Sequence, residues 1–122
     1  MTVTLRCIVD DAGTARDFYR DALGFAVDLD MAPGFAILSR GELRLMFNQA
    51  GAGGAGQPSD AGEVPVPGGW NRIQLPVDDV AAEVARLVAA GARVRTSPVR
   101  GNGGVQAVVD DPAGNPIELI ST

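Results

Sequence analysis

The sequence predicts an α+β fold of two βαβββ modules that form a curved mixed sheet around a cleft, with the helices on the outer face. Three observations predict it. The first is an internal repeat. Val9-Asp10-Asp11, a helical stretch and Gly24 are matched by Val77-Asp78-Asp79, a second helical stretch and Gly91. The offset is 68 residues at the valines and 67 at the glycines. The second is the order within each half, which reads strand, helix, then three strands. The third is physical: one such half cannot bury a sheet face alone, so two are needed. At 122 residues, one domain is expected, with module one at 1–49, a connector at 50–69 and module two at 70–122.

Each element has its own signal. Val3 to Val9 alternates, with Val3, Leu5, Cys7 and Val9 on one face and Thr4, Arg6 and Ile8 on the other. Asp10-Asp11 can cap a helix from Ala12 to Leu23, which places Ala15, Phe18, Tyr19, Ala22 and Leu23 on one stripe. Gly24 ends it. Strands are expected at Phe25–Asp30, Phe35–Ser39 and Glu42–Asn48. From Gln49 to Gly69 the apolar period vanishes into Gly, Ala and Pro. This stretch reads as a mobile connector, either a lid over a ligand or a plain linker.

Alternation restarts at Trp70 and runs to Val77. Asp78-Asp79 precedes a helix from Val80 to Ala90, with Val80, Val84, Leu87 and Val88 on the buried stripe. Strands at Arg93–Thr96 and Gly104–Val109 flank a glycine-rich loop. Asp111-Pro112-Ala113-Gly114-Asn115-Pro116 is a turn, and Ile117–Ser121 closes the set. In that last strand Glu118 points away from Ile117 and Leu119. A carboxylate on the inner face of a sheet needs a partner, a metal ion or a changed pKa.

Composition narrows the chemistry. The net charge is −5 with no basic cluster, which argues against nucleic acid. No apolar run approaches the roughly 18 residues needed to span a bilayer. The N-terminus lacks a signal-peptide layout, so a cytoplasmic location is expected. Cys7 is the sole cysteine and falls on an apolar face, where a buried, inert thiol is expected rather than a nucleophile. All ten basic residues are arginine, which excludes a lysine Schiff base. There is no histidine, so the commonest metal ligand and general base are both missing.

The two Val-Asp-Asp motifs, the run Phe18-Tyr19-Arg20-Asp21-Ala22-Leu23-Gly24-Phe25 and the closing Asp111 to Leu119 stretch resemble the vicinal oxygen chelate superfamily. That group includes glyoxalases, extradiol dioxygenases and bleomycin-resistance proteins. The resemblance covers nearly the whole chain. In metal-dependent members it implies a ligand five residues before each valine and one on the last strand of each half. Those positions here are Thr4 and Arg72, then Met46 and Glu118; a register change of two would put Gln74 in place of Arg72. Met is too soft for such a site and Arg repels a cation, so no metal and no cofactor is expected. Arg72 and Glu118 then either pair with each other or meet a ligand.

The inner face would hold Thr4, Arg6, Arg44, Met46 and Asn48 from the first half, with Phe35 on a bordering strand. From the second half it would hold Trp70, Arg72, Gln74 and Glu118. Trp70 fits either a core position or a ligand platform. This mixed character suits a small molecule with flat rings. The expected function is metal-free binding of an aromatic or quinone-like antibiotic, giving resistance by sequestration. The alternative is a lyase, isomerase or dioxygenase with Glu118 as base. The resemblance also implies a homodimer, open to exchange of the first strand between subunits, while charge and hydropathy lead us to expect no nucleic-acid or membrane partner.

Overall fold

The computed structural model describes residues 2–122; Met1, counted in the expected first module, lies outside them. The chain divides into two compact units, one ending at Pro67 and one running from Gly68 to Thr122. Both are α+β with the βαβββ order.

In the first unit β1 (Thr4–Val9) leads to α1 (Ala12–Leu23), then β2 (Ala26–Met31), β3 (Phe35–Arg40) and β4 (Leu43–Gln49). The sheet order is β1-β4-β3-β2, with β1 parallel to β4 and the other pairs antiparallel. The α1 boundaries match the sequence expectation because both ends carry local instructions. Asp11 Oδ1 accepts hydrogen bonds from the Gly13 and Thr14 amides at 2.7 and 3.1 Å, and Gly24 caps the other end. One face of the helix buries Phe18, Tyr19 and Leu23 against Leu38, Leu45 and Phe47. Tyr19 is the hub, with ring centroids 5.6 Å from Phe18, 5.5 Å from Phe25 and 5.0 Å from Phe47. The helix lies over β2, β3 and β4. This leaves Leu5 and Val3 exposed and Cys7 half-buried, where an apolar, buried face was expected.

The segment after β4 is not a bare connector. It belongs to the first unit and is tied by its own turns. The Gly51 amide donates to Gly56 O at 2.7 Å, the Gly56 amide to Ala52 O at 3.1 Å, and the Ser59 amide to Glu63 O at 2.9 Å. Gly56 is there because the backbone crosses itself: a Cβ would lie 2.5 Å from the Ala52 nitrogen.

The second unit holds β5 (Ile73–Pro76), α2 (Val80–Ala89), β6 (Arg93–Gly101), β7 (Gly104–Asp110) and β8 (Pro116–Ser121), in sheet order β5-β8-β7-β6. Asp79 caps α2 by accepting from the Ala82 amide at 3.0 Å. Val80, Val84 and Leu87 are buried with Val109, Ile117 and Leu119; Val88, expected on that stripe, is exposed. Two strands differ from expectation. β5 begins at Ile73, since Trp70 to Arg72 form no ladder pairs. β6 continues to Gly101 because β7 keeps pairing with it, Val99 opposite Gln106 and Gly101 opposite Gly104. Pro98, which cannot donate to a ladder, sits where the register shifts between Thr96 and Val99.

Between β7 and β8 the turn is organised by one buried carboxylate. Asp111 Oδ1 accepts from the Ala113 and Asn115 amides, both at 2.9 Å, and its own amide donates to Asn115 O at 2.8 Å. At the other hairpin Gly104 has φ +121, and a Cβ would sit 2.0 Å from Ser121 O. Gly104→Ala is expected to destabilise the protein by about 2–4 kcal/mol in denaturant titration, whereas Gly103→Ala, with open space around it, should stay within about 0.5 kcal/mol.

Candidate functional site

Each sheet has one face under its helix and a far face that carries the polar residues. In the second unit, ladder registry places Gln74 opposite Glu118 and Glu118 opposite Val108 on the far face. The alternation that buries Ile117 and Leu119 under α2 forces Glu118 to this side. Glu118 is buried, at 7% exposure. Its charge is met directly. Arg72 Nε donates to Oε1 at 3.0 Å, and a terminal guanidinium nitrogen stands 2.8 Å from the same atom. The Gln74 amide donates to Oε2 through a short hydrogen bond. A further Arg72 nitrogen donates to Trp70 O at 3.2 Å. Arg72 and Gln74, which the sequence offered as alternatives, therefore both reach Glu118: Gln74 from directly across the ladder, Arg72 by its length from just before β5.

In the first unit the far-face rows are Thr4–Arg44–Ser39, Arg6–Met46–Ile37 and Ile8–Asn48–Phe35. The residue across from Met46 is thus Arg6. Thr4, expected beside Met46, sits one row away and accepts a hydrogen bond from Arg44 Nε at 2.7 Å. The parallel register of β1 on β4 sets this, a shift of two residues from motif counting. Arg6 donates to Asn48 Oδ1 at 2.6 Å, and Asn48, at 3% exposure, donates onward to Ala52 O at 3.2 Å. Phe35 is half-buried at the end of its row. An open hollow of about 680 Å³ lies at one end of this sheet, lined by Thr2, Asp28, Ser39, Glu42 and Arg44 among others; of the expected residues only Arg44 is among those lining it.

The donor chemistry does not fit a divalent ion in either unit. Beside Glu118 stands a guanidinium where the ion's charge would be, and both carboxylate oxygens already accept hydrogen bonds. Beside Met46 stands Arg6. Among the described residues, no three His, Cys, Asp or Glu side chains gather as a metal-binding group.

Trp70 is 67% exposed, so the core position that was open to it is not the one it takes. Arg95 lies over its ring, with Cζ 4.6 Å from the centroid. Arg95 escapes sequence reading because β6 shifts register on both sides of Thr96, and its partner Asp110 comes from a strand end whose pairing no motif announces.

No helix among the described residues is long and apolar enough to cross a membrane. Among curated proteins none matches the chain significantly. Solved structures do. TnmS3, an antibiotic binding protein from Streptomyces sp. CB03234, is 27% identical over 99% of this chain and 98% of its own, with a TM-score of 0.69. The bleomycin-binding protein of bleomycin-producing Streptomyces verticillus, complexed with copper(II)-bleomycin, is 20% identical over 100% and 96%, at 0.62. A lactoylglutathione lyase from Agrobacterium tumefaciens is 21% identical over 99% and 92%, at 0.73. The family model described as a glyoxalase-like domain matches residues 2–120, and the chain belongs to that family, within a fold group that includes both antibiotic-binding proteins and lyases.

Proposed function

We propose that this protein is a metal-free small-molecule binder that sequesters a planar aromatic or quinone-like compound, an antibiotic among the candidates. One observation carries the reading. Glu118, which would serve a metal site as ligand or an enzyme as base, has both oxygens held by Arg72 and Gln74. The adjacent Arg72 guanidinium favours the ionised carboxylate, and a proton taken up by Glu118 would weaken that pairing. The same unit offers Trp70 at its surface, a flat apolar ring suited to stacking. The likeness to TnmS3, an antibiotic binding protein, at 27% identity over almost the full length of both chains, supports an antibiotic as the ligand.

Binding as a homodimer is part of this reading. Isothermal titration against planar aromatic antibiotics is expected to give at least one ligand at micromolar Kd or tighter, with light scattering at twice the chain mass of 12.6 kDa. No heat from any of them, together with turnover of a hemithioacetal that Glu118→Gln abolishes, would establish the lyase reading instead.

Metal ions test the site directly. Adding Ni²⁺, Zn²⁺, Mn²⁺ or Fe²⁺ at 100 times a micromolar Kd would stabilise a true metal site by about 2.7 kcal/mol. The expected outcome is no change in Tm with any of the four.

The ion pair has its own consequence. Arg72→Ala leaves a nearly buried carboxylate with one partner and is expected to cost about 1–3 kcal/mol of unfolding free energy. Restoring the balance by adding Glu118→Gln to that variant should recover part of the loss, as read by urea denaturation.

A further inference from the structure

We propose that Arg95 is a positioning residue that holds Trp70 ready as a stacking platform for the planar ring of the ligand. This rests on the binding function proposed above and adds a residue that neither the family motifs nor the register of the sheets points to.

The argument starts from a cost. An exposed tryptophan on the loop before a strand has rotamers to lose when a ligand orders it, and that loss subtracts from affinity. Here the loss is met before binding. Arg95 Cζ stands 4.6 Å from the indole centroid, so one face of the ring rests on a cation while 67% of the residue stays exposed. Arg95 itself is not free to swing. Its Nε donates to Asp110 Oδ1 at 2.7 Å, one terminal nitrogen donates to Gly69 O and the other to Gly114 O at 3.2 Å. Its side chain is only 17% exposed.

The backbone on either side of Trp70 is fastened as well. Just before it, the Gly68 amide donates to Asn115 Oδ1 at 2.8 Å, and Gly69 O receives Arg95. Its own carbonyl receives Arg72, the residue that neutralises Glu118. Trp70 is thus clamped to the turn between β7 and β8 through Arg95 and Asn115, and to β8 through Arg72. A surface side chain in an ordinary loop has no need of such a clamp. A ring that must meet another ring face to face does.

Arg95 and Asp110 also neutralise each other, as do Arg72 and Glu118. The surroundings of the indole therefore present little net charge, which favours an uncharged ring system, or one whose charge lies away from the stacked rings.

Trp70 is the only tryptophan, so its emission reports on this place alone. The test uses the full chain, with anthraquinone-2-sulfonate as the planar probe, and compares wild type with Arg95→Met, Arg95→Lys and Trp70→Ala. Time-resolved anisotropy of the ligand-free protein is expected to show a restrained indole in wild type and a freely rotating one in Arg95→Met, with Arg95→Lys between them. Saturable quenching is expected in wild type, with affinity about tenfold weaker in Arg95→Met when both are titrated well below their Tm. Calorimetry should show the same loss in Trp70→Ala.

Unchanged anisotropy in both Arg95 variants, or equal affinity despite a freed indole, would overturn the role of Arg95. Probe binding that Trp70→Ala retains in full would overturn the platform and leave the binding function standing. Absence of any calorimetric binding to wild type, by this probe or by the antibiotics, would instead overturn the binding function on which the inference rests.

Discussion

A four-stranded sheet with a single helix has only one face covered by its own unit, and the rest of this structure depends on that constraint. The helix face must be continuous and apolar, which explains why Tyr19, Phe47, Ile117 and Leu119 are buried and why aliphatic residues recur at every second strand position. The alternate positions are relieved of that duty. They carry Arg, Gln, Asn, Met and Glu, and they are where the two units differ most. The aspartate N-caps and the helices repeat between the units; the far faces do not.

Much of the fold could be read from the residues because its instructions are local. Asp11 and Gly24 bracket α1, and Asp79 starts α2, through hydrogen bonds made within a few residues. The Asp111 turn is equally self-contained. What escaped reading depends on pairing at a distance. The length of β6 is set by β7, and the start of β5 by where β8 gives it a partner. The segment 50–67 lacks periodicity yet folds on its own turns, because glycine backbones can pair where no side chain signals it.

The candidate site divides in the same way. Arg72 could be expected near Glu118 from the motifs, with Gln74 only as its substitute; the ladder sets Gln74 opposite Glu118 and Arg72 reaches it by its length. Counting back from the valines falls two residues short of the facing position in both units, Arg6 opposite Met46 and Gln74 opposite Glu118, because a parallel register is fixed by the ladder. Trp70 was ambiguous since exposure is a property of the surroundings, and Arg95 was silent since its importance comes from what it touches. Motif positions thus led to the cluster around Glu118, while the clamp around Trp70 emerged only from contacts.

The difference between the far faces has a further consequence. In the first unit Arg6 and Arg44 bond to the neutral oxygens of Asn48 and Thr4. In the second, Arg72 and Arg95 bond to carboxylates. On these faces, among the described residues, Arg6 and Arg44 meet only neutral oxygens, whereas Arg72 and Arg95 meet carboxylates. The two modules share a strand and helix order but carry chemically unlike far faces. A chain rebuilt from two first modules would keep the helices, caps and strand order, and would lose every carboxylate clamp described above.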